Sequence, residues 1–221
     1  MRARFFNLAL GTVLGALLGA VIGLSLAVPA WAQKPRAQSP LSREWIHPPR
    51  DLPKSGRGHG DPSTSLNTLF EALKIAPDED SAKAIEERIW TIWMVSGSDT
   101  TNLLMSRVKS ASDDKDYDLA IKLLSAVIAI NPNYVEAWNQ RATIYYLKED
   151  IGHALADIRE VLAHEPRHFG ALSGLGLILQ EIGDDKHALE AYRKALEIDP
   201  HLEHIPEVVK TLTEKVEGRD I

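Results

Sequence analysis

Eight histidines, one serine–lysine pair and no cysteine are what this chain offers for chemistry. His164 and His168 stand four apart, His201 and His204 three apart, and His153 and His187 are separated by 34 residues. Neutral imidazoles ligate zinc, but a zinc site needs three or four convergent ligands, and with no thiolate available these pairs fall short. Ser106 and Lys109 lie one helical turn apart, a spacing in which an amine can activate a hydroxyl; the Ser-Asp-Asn and Lys-Thr-Gly partners of that chemistry are absent. No glycine-rich loop cradles a phosphate, and no triad is complete. The sequence predicts a non-catalytic protein without metal or cofactor, its histidines at solvated turn edges.

The elements that would position such residues repeat. Pro132, Pro166 and Pro200 recur at 34-residue intervals, as do Leu104, Trp138 and Leu172, then Ala120, Ala154 and Ala188, then Leu124, Ile158 and Tyr192. A small residue where two helices cross lets their backbones approach, and a large one four positions later fills the volume between turns. A 34-residue stride means stacked helical hairpins. The pattern predicts an all-α right-handed solenoid, its core drawn from Leu104, Leu124, Trp138, Tyr145, Ile158, Leu172, Leu175 and Tyr192. Three repeats span 101–202. Before them, residues 65–100 carry Leu66, Leu69, Phe70 and Leu73, then Ser81 as a cap and Ala84, Ile85, Ile89, Ile92 and Trp93 as a buried stripe. This reads as a degenerate first hairpin whose open end Trp90 covers. After them, 203–217 reads as a capping helix with Pro206 in its first turn and Ile205, Val208, Val209 and Leu212 turned to the third repeat.

The N-terminus reads differently. Arg2 and Arg4 precede an apolar run from Phe5 to Val28 and the small-x-small sequence Ala30-Trp31-Ala32, which is the order of a secretory signal peptide. The run is long enough to cross a bilayer, and Gly11, Gly15, Gly19 and Gly23 share one helix face, so membrane anchorage through residues 5–28 is the alternative. Cleavage after Ala32 removes two arginines and no acid from 25 basic and 31 acidic residues, leaving 23 against 31. An acidic mature chain repels nucleic acid. Residues 33–64 hold six of the twelve prolines and read as a disordered Pro/Gly-rich linker. Either reading of the leader exports the rest, so the expected location is the periplasm of a Gram-negative bacterium, with inner-membrane anchorage as the alternative.

The repeats resemble the tetratricopeptide repeat family. Trp138, Ala142, Tyr145, Ala154, Ile158 and Pro166 match its pattern in the second repeat, and Leu172, Leu175, Gly176, Ala188, Tyr192, Ala195 and Pro200 in the third. The first repeat keeps Leu104, Ala120, Leu124 and Pro132 but has Val108 and Ala111 where the family has Gly and Tyr.

The resemblance implies a concave groove lined by the first helix of each pair. Its groove positions fall on Asn102, Met105, Ser106, Lys109 and Ser112; on Glu136, Asn139, Gln140, Thr143 and Tyr146; and on Gly170, Ser173, Gly174, Leu177 and Gln180. Amide side chains suit the backbone of an extended peptide, and Gly170 and Gly174 leave room for a bulky ligand side chain. The family's clamp for acidic chaperone tails is not matched: Met105, Gly170 and Gly174 stand where basic residues belong, and Lys109 where an Asn belongs. The expectation is an exported scaffold for a protein or peptide partner held in the groove. The alternative is a membrane-tethered assembly helper docking a folded partner on its convex face.

Overall fold

A computed structural model describes residues 62–218, the side chains of 62–64 apart. Among the described residues there are nine helices and no strand: α1 Pro62–Lys74, α2 Glu79–Trp93, α3 Asp99–Asp113, α4 Tyr117–Ile130, α5 Val135–Leu147, α6 Ile151–His164, α7 Phe169–Glu181, α8 Asp185–Ile198 and α9 Ile205–Val216. The expected leader, and the expected linker up to residue 61, lie outside the described residues. Helix α1 begins at Pro62, inside the stretch read as linker, because proline fits a helix's first turn.

The helical-hairpin solenoid forms. Helices α3–α4, α5–α6 and α7–α8 pack pairwise, consecutive pairs stack, and α9 closes the array on α8. Each pair turns by one device. Lys115, Glu149 and Gly183 adopt positive φ (60°, 63° and 86°). The next residues, Asp116, Asp150 and Asp184, accept the N–H of Leu119, His153 and His187 at 3.1, 3.2 and 3.3 Å. A left-handed residue ends one helix and an aspartate caps the next.

Leu124, Ile158, Leu172 and Tyr192 are buried in the core. Leu104, Trp138, Tyr145 and Leu175 are half-buried against the same clusters, and the fully buried ring is Tyr146, not Tyr145. Gly176 is required by the packing: a Cβ there would lie 2.6 Å from the Tyr192 ring, so its absence lets α7 and α8 close on that tyrosine. Arg141 of α5 ties three helices, donating to both Asp157 carboxylate oxygens on α6 at 2.7 and 2.8 Å and to Ser125 Oγ on α4 at 2.9 Å.

The first hairpin departs from expectation. Helix α1 packs on α8, and α2 lies across the turns between repeats. Its buried residues are Ala82, Ile89, Trp90 and Trp93, while Ala84, expected in the stripe, is exposed. Asp78 caps α2 by accepting the Ser81 N–H at 2.8 Å, in place of the expected Ser81 cap. Trp90 covers no open end. It is 5% exposed inside the seam with the array, where its indole buries more apolar surface than at a solvated edge.

Candidate functional site: an inner face strapped by the N-terminal hairpin

The seam runs over equivalent places in successive repeats. Tyr134, His168 and Leu202 stand 34 residues apart, each in the turn leading into the next helix, and each meets the hairpin or its connector. At the first turn, Tyr134 Oη donates to the Met94 carbonyl at 3.1 Å and Asn131 Nδ2 to the Ser96 carbonyl at 3.5 Å. Burial and the nearby Glu136 carboxylate push the Tyr134 phenol well above its ordinary range, so it stays a donor. At the second turn, Trp93 stacks on His168 with centroids 4.1 Å apart and planes 6° off parallel, while Trp90 meets His168 and Phe169 edge-on at 5.4 and 5.8 Å. The tip of Trp90 sits where Gly170 lacks a side chain, 3.1 Å from the place a Cβ would take. Arg167 lies 4.2 Å over the Phe70 ring and donates to Asn67 Oδ1 at 2.8 Å. At the third turn, His201 Nε2 donates to the Ala76 carbonyl at 3.0 Å, and Ile198 and Leu202 pack against the hairpin's core. We call this hairpin the strap.

The expected groove residues divide. Asn102, Ser106 and Lys109 are exposed, and Met105, Ser112, Gln140, Ser173 and Gln180 half-buried. Glu136, Asn139, Thr143, Tyr146, Gly170, Gly174 and Leu177 are buried, so the open polar trough expected along repeats two and three is filled. Two causes act. Tyr146 and Leu177 pack together with Ala142 and Ile178 between neighbouring repeats, and the strap covers the first turns at Glu136 and Gly170. The polar side chains satisfy one another: Gln140 Nε2 donates to Glu136 Oε1 at 3.1 Å, Asn139 Nδ2 to Glu136 Oε2 at 3.3 Å, and Thr143 Oγ1 to the Asn139 carbonyl at 3.0 Å. The satisfaction is incomplete. Trp93 Nε1, Asn139 Oδ1, His168 Nε2 and Ser173 Oγ are buried without a hydrogen-bond partner.

His168 was expected at a solvated turn edge and is fully buried. Its Nδ1 accepts the Ala171 N–H at 3.0 Å and so caps α7, which puts the ring proton on Nε2, 3.7 Å from Glu136 Oε2. A histidine cap is what sequence reasoning missed; the position just before a helix start was the available signal. Two of the other paired histidines serve turns. His153 and His187 sit 2.7 and 2.8 Å from Asp150 and Asp184, whose carboxyls are held below the ordinary range, the first chiefly by the His153 N–H and the second chiefly by the His187 imidazole. Among the described residues no group of three or more His, Asp or Glu converges as a metal site would require.

Asp199, at the end of α8, bears on how the strap is held. It is fully buried, one oxygen accepts the His201 N–H at 3.0 Å, and Glu86 of α2 faces it. Burial raises its pKa, against the lowering by His201 and Glu86. A carboxyl raised in the folded state contributes stability that is present below its ordinary value of 3.8 and is lost as pH rises through the folded value. Over the range of pH upward from 3.8 the chain is therefore expected to lose stability that Asp199→Asn retains. Urea unfolding of both proteins across that range checks this; parallel pH profiles would show that Asp199 is not linked.

The tetratricopeptide repeat model matches residues 170–202. A TPR repeat-containing protein of Rhizobium etli is 40% identical over 157 residues, covering 71% of this chain and 77% of that protein. The chain belongs to the tetratricopeptide repeat family. Among solved structures, the TPR domain of Sgt2 from Aspergillus fumigatus is 26% identical with a TM-score of 0.50, over 54% of this repeat protein and 81% of that domain. The first TPR of Spaghetti bound to the HSP90 peptide SRMEEVD has the same TM-score of 0.50 at 17% identity, over 53% of this chain and 93% of that one, a likeness of fold alone. Tetratricopeptide repeat proteins are protein-interaction scaffolds, generally non-catalytic, and this repeat protein carries that architecture.

Proposed function

We propose that this chain is a non-catalytic, exported scaffold that holds an extended segment of a partner protein along the inner face of its repeats. The observation that carries the reading is that the repeats already hold a length of polypeptide, the strap, through stacked rings and backbone carbonyls. A surface built that way suits main-chain recognition. Beyond the strap, the positions open to a partner are Asn102, Ser106 and Lys109. The leader of Arg2, Arg4, the apolar run and Ala30-Trp31-Ala32 supports export to the periplasm. An acidic chaperone tail is a poor ligand here, since Met105 and Gly174 offer no charge and Trp90 fills the space at Gly170.

The test is recovery of a partner from envelope extract with the exported chain as bait. Asn102→Ala with Lys109→Ala is expected to weaken capture roughly tenfold, from two lost hydrogen bonds of ~0.5–1.5 kcal/mol each, with helix content unchanged. The captured bait, sequenced from its end, should begin at Gln33. If substitutions at exposed Lys122 and Arg159 on the second helices of the pairs reduce capture and the inner pair does not, a partner docks on the convex face instead.

A further inference from the structure

The strap occupies its surface as a ligand would. Its two indoles, three residues apart on α2, enter one aromatic seat: Trp93 lies flat on His168, and Trp90 meets His168 and Phe169 edge-on with its tip against Gly170. The seat belongs to the repeats, since His168, Phe169 and Gly170 open α7 and the imidazole is fixed by its own cap bond to the Ala171 N–H. The fit is imperfect in a telling way. Trp93 Nε1 and His168 Nε2, both donors, are buried with no acceptor within hydrogen-bond distance, the Glu136 carboxylate standing 3.7 Å from His168 Nε2, and Asn139 Oδ1 is buried without a donor. The strap is joined to α3 by a short connector in which Gly97 takes φ 71°.

We propose that the strap is a displaceable self-ligand: a partner's helix carrying two large aromatic side chains three residues apart takes the seat at His168, Phe169 and Gly170 in its place. This rests on the reading of the repeats as a partner-binding surface and adds, at the seat beneath the strap, a helical segment to the extended one held at Asn102, Ser106 and Lys109. The connector holds the strap at roughly millimolar effective concentration, so a partner binds only as far as the strap yields.

The absence of cysteine allows a direct test in the full chain. Met94 Sδ lies 3.8 Å from Gln140 Nε2, and both residues are half-buried, so Met94→Cys with Gln140→Cys can be joined by a short bismaleimide that locks the strap down. The probe is a fluorescent synthetic peptide of residues 78–95, the helix known to fit the seat. Its affinity for the full chain is expected to fall at least about tenfold on cross-linking and to rise at least about tenfold when the chain's own strap carries Trp90→Ala and Trp93→Ala. The cross-linking arm compares one polypeptide before and after linkage, so a folding defect in the alanine variant does not decide the outcome. Equal affinity in all forms, complete lack of binding included, overturns the proposal. If the peptide is indifferent to the strap while Asn102→Ala with Lys109→Ala still releases the envelope partner, the strap inference falls and the scaffold reading stands. If the peptide responds and that pair does not, the inner groove falls and the seat stands.

Discussion

Asp157→Ala is expected to lower the stability of the array by about 3–5 kcal/mol, a large part of what a domain of this size has. The Arg141 and Asp157 side chains are 15% and 6% exposed, so solvent screens the pair little. Two parallel hydrogen bonds at 2.7 and 2.8 Å join them, and the bond to Asp157 is the chief cause raising the Arg141 pKa. Removing the carboxylate leaves a guanidinium between α5 and α6 with Ser125 Oγ at 2.9 Å and the Trp138 and Tyr145 faces at 4.9 and 5.9 Å. Replacing both partners by apolar residues, Arg141→Met with Asp157→Leu, should recover most of the loss, because no charge is then stranded. Urea unfolding followed by circular dichroism decides the matter; a loss below about 1 kcal/mol for Asp157→Ala would show that the pair ties nothing together.

Gly170→Leu is expected to unseat the strap. A Cβ at Gly170 alone would stand 3.1 Å from Trp90 Cη2 and Cζ2 and 3.4 Å from His168 Cε1, and the further carbons of leucine would occupy the space the indole fills. Helix α7 packs against both α6 and α8, whereas the strap reaches the repeats through α1 on α8 and the seam side chains, so relief is expected from the strap. Overpacking of about 1–3 kcal/mol corresponds to a roughly 5- to 150-fold shift toward the open form. The helix content of the repeats should change little.

The repeats were legible because their cause is local and periodic. Every hairpin has only enough apolar surface to bury against its neighbours, so the alanines at 120, 154 and 188 must recur at the 34-residue stride. The strap was not legible, because its partners lie far along the chain: Ala76 with His201, Asn67 with Arg167, Trp90 with Gly170. A stretch with helical periodicity next to an array reads most simply as another repeat. The sign against it was in the residues: Trp90 fell off the apolar stripe of α2, and a buried second face on a helix requires a second partner. The candidate site was half legible for the same reason. Family positions locate the inner face, but polarity alone implies exposure, whereas Glu136, Asn139 and Thr143 are polar and buried because they bond one another.

Hydrogen exchange read on peptides covering α2 and the turn at 165–172, in the unchanged full chain and in Gly170→Leu, reports directly whether the strap is seated. A seated strap leaves both segments protected in the unchanged chain, and both lose protection together in the variant, while α6 and α8 keep theirs. Rapid exchange of α2 in the unchanged chain, or continued protection of α2 in Gly170→Leu, would contradict a strap seated at His168 and Gly170.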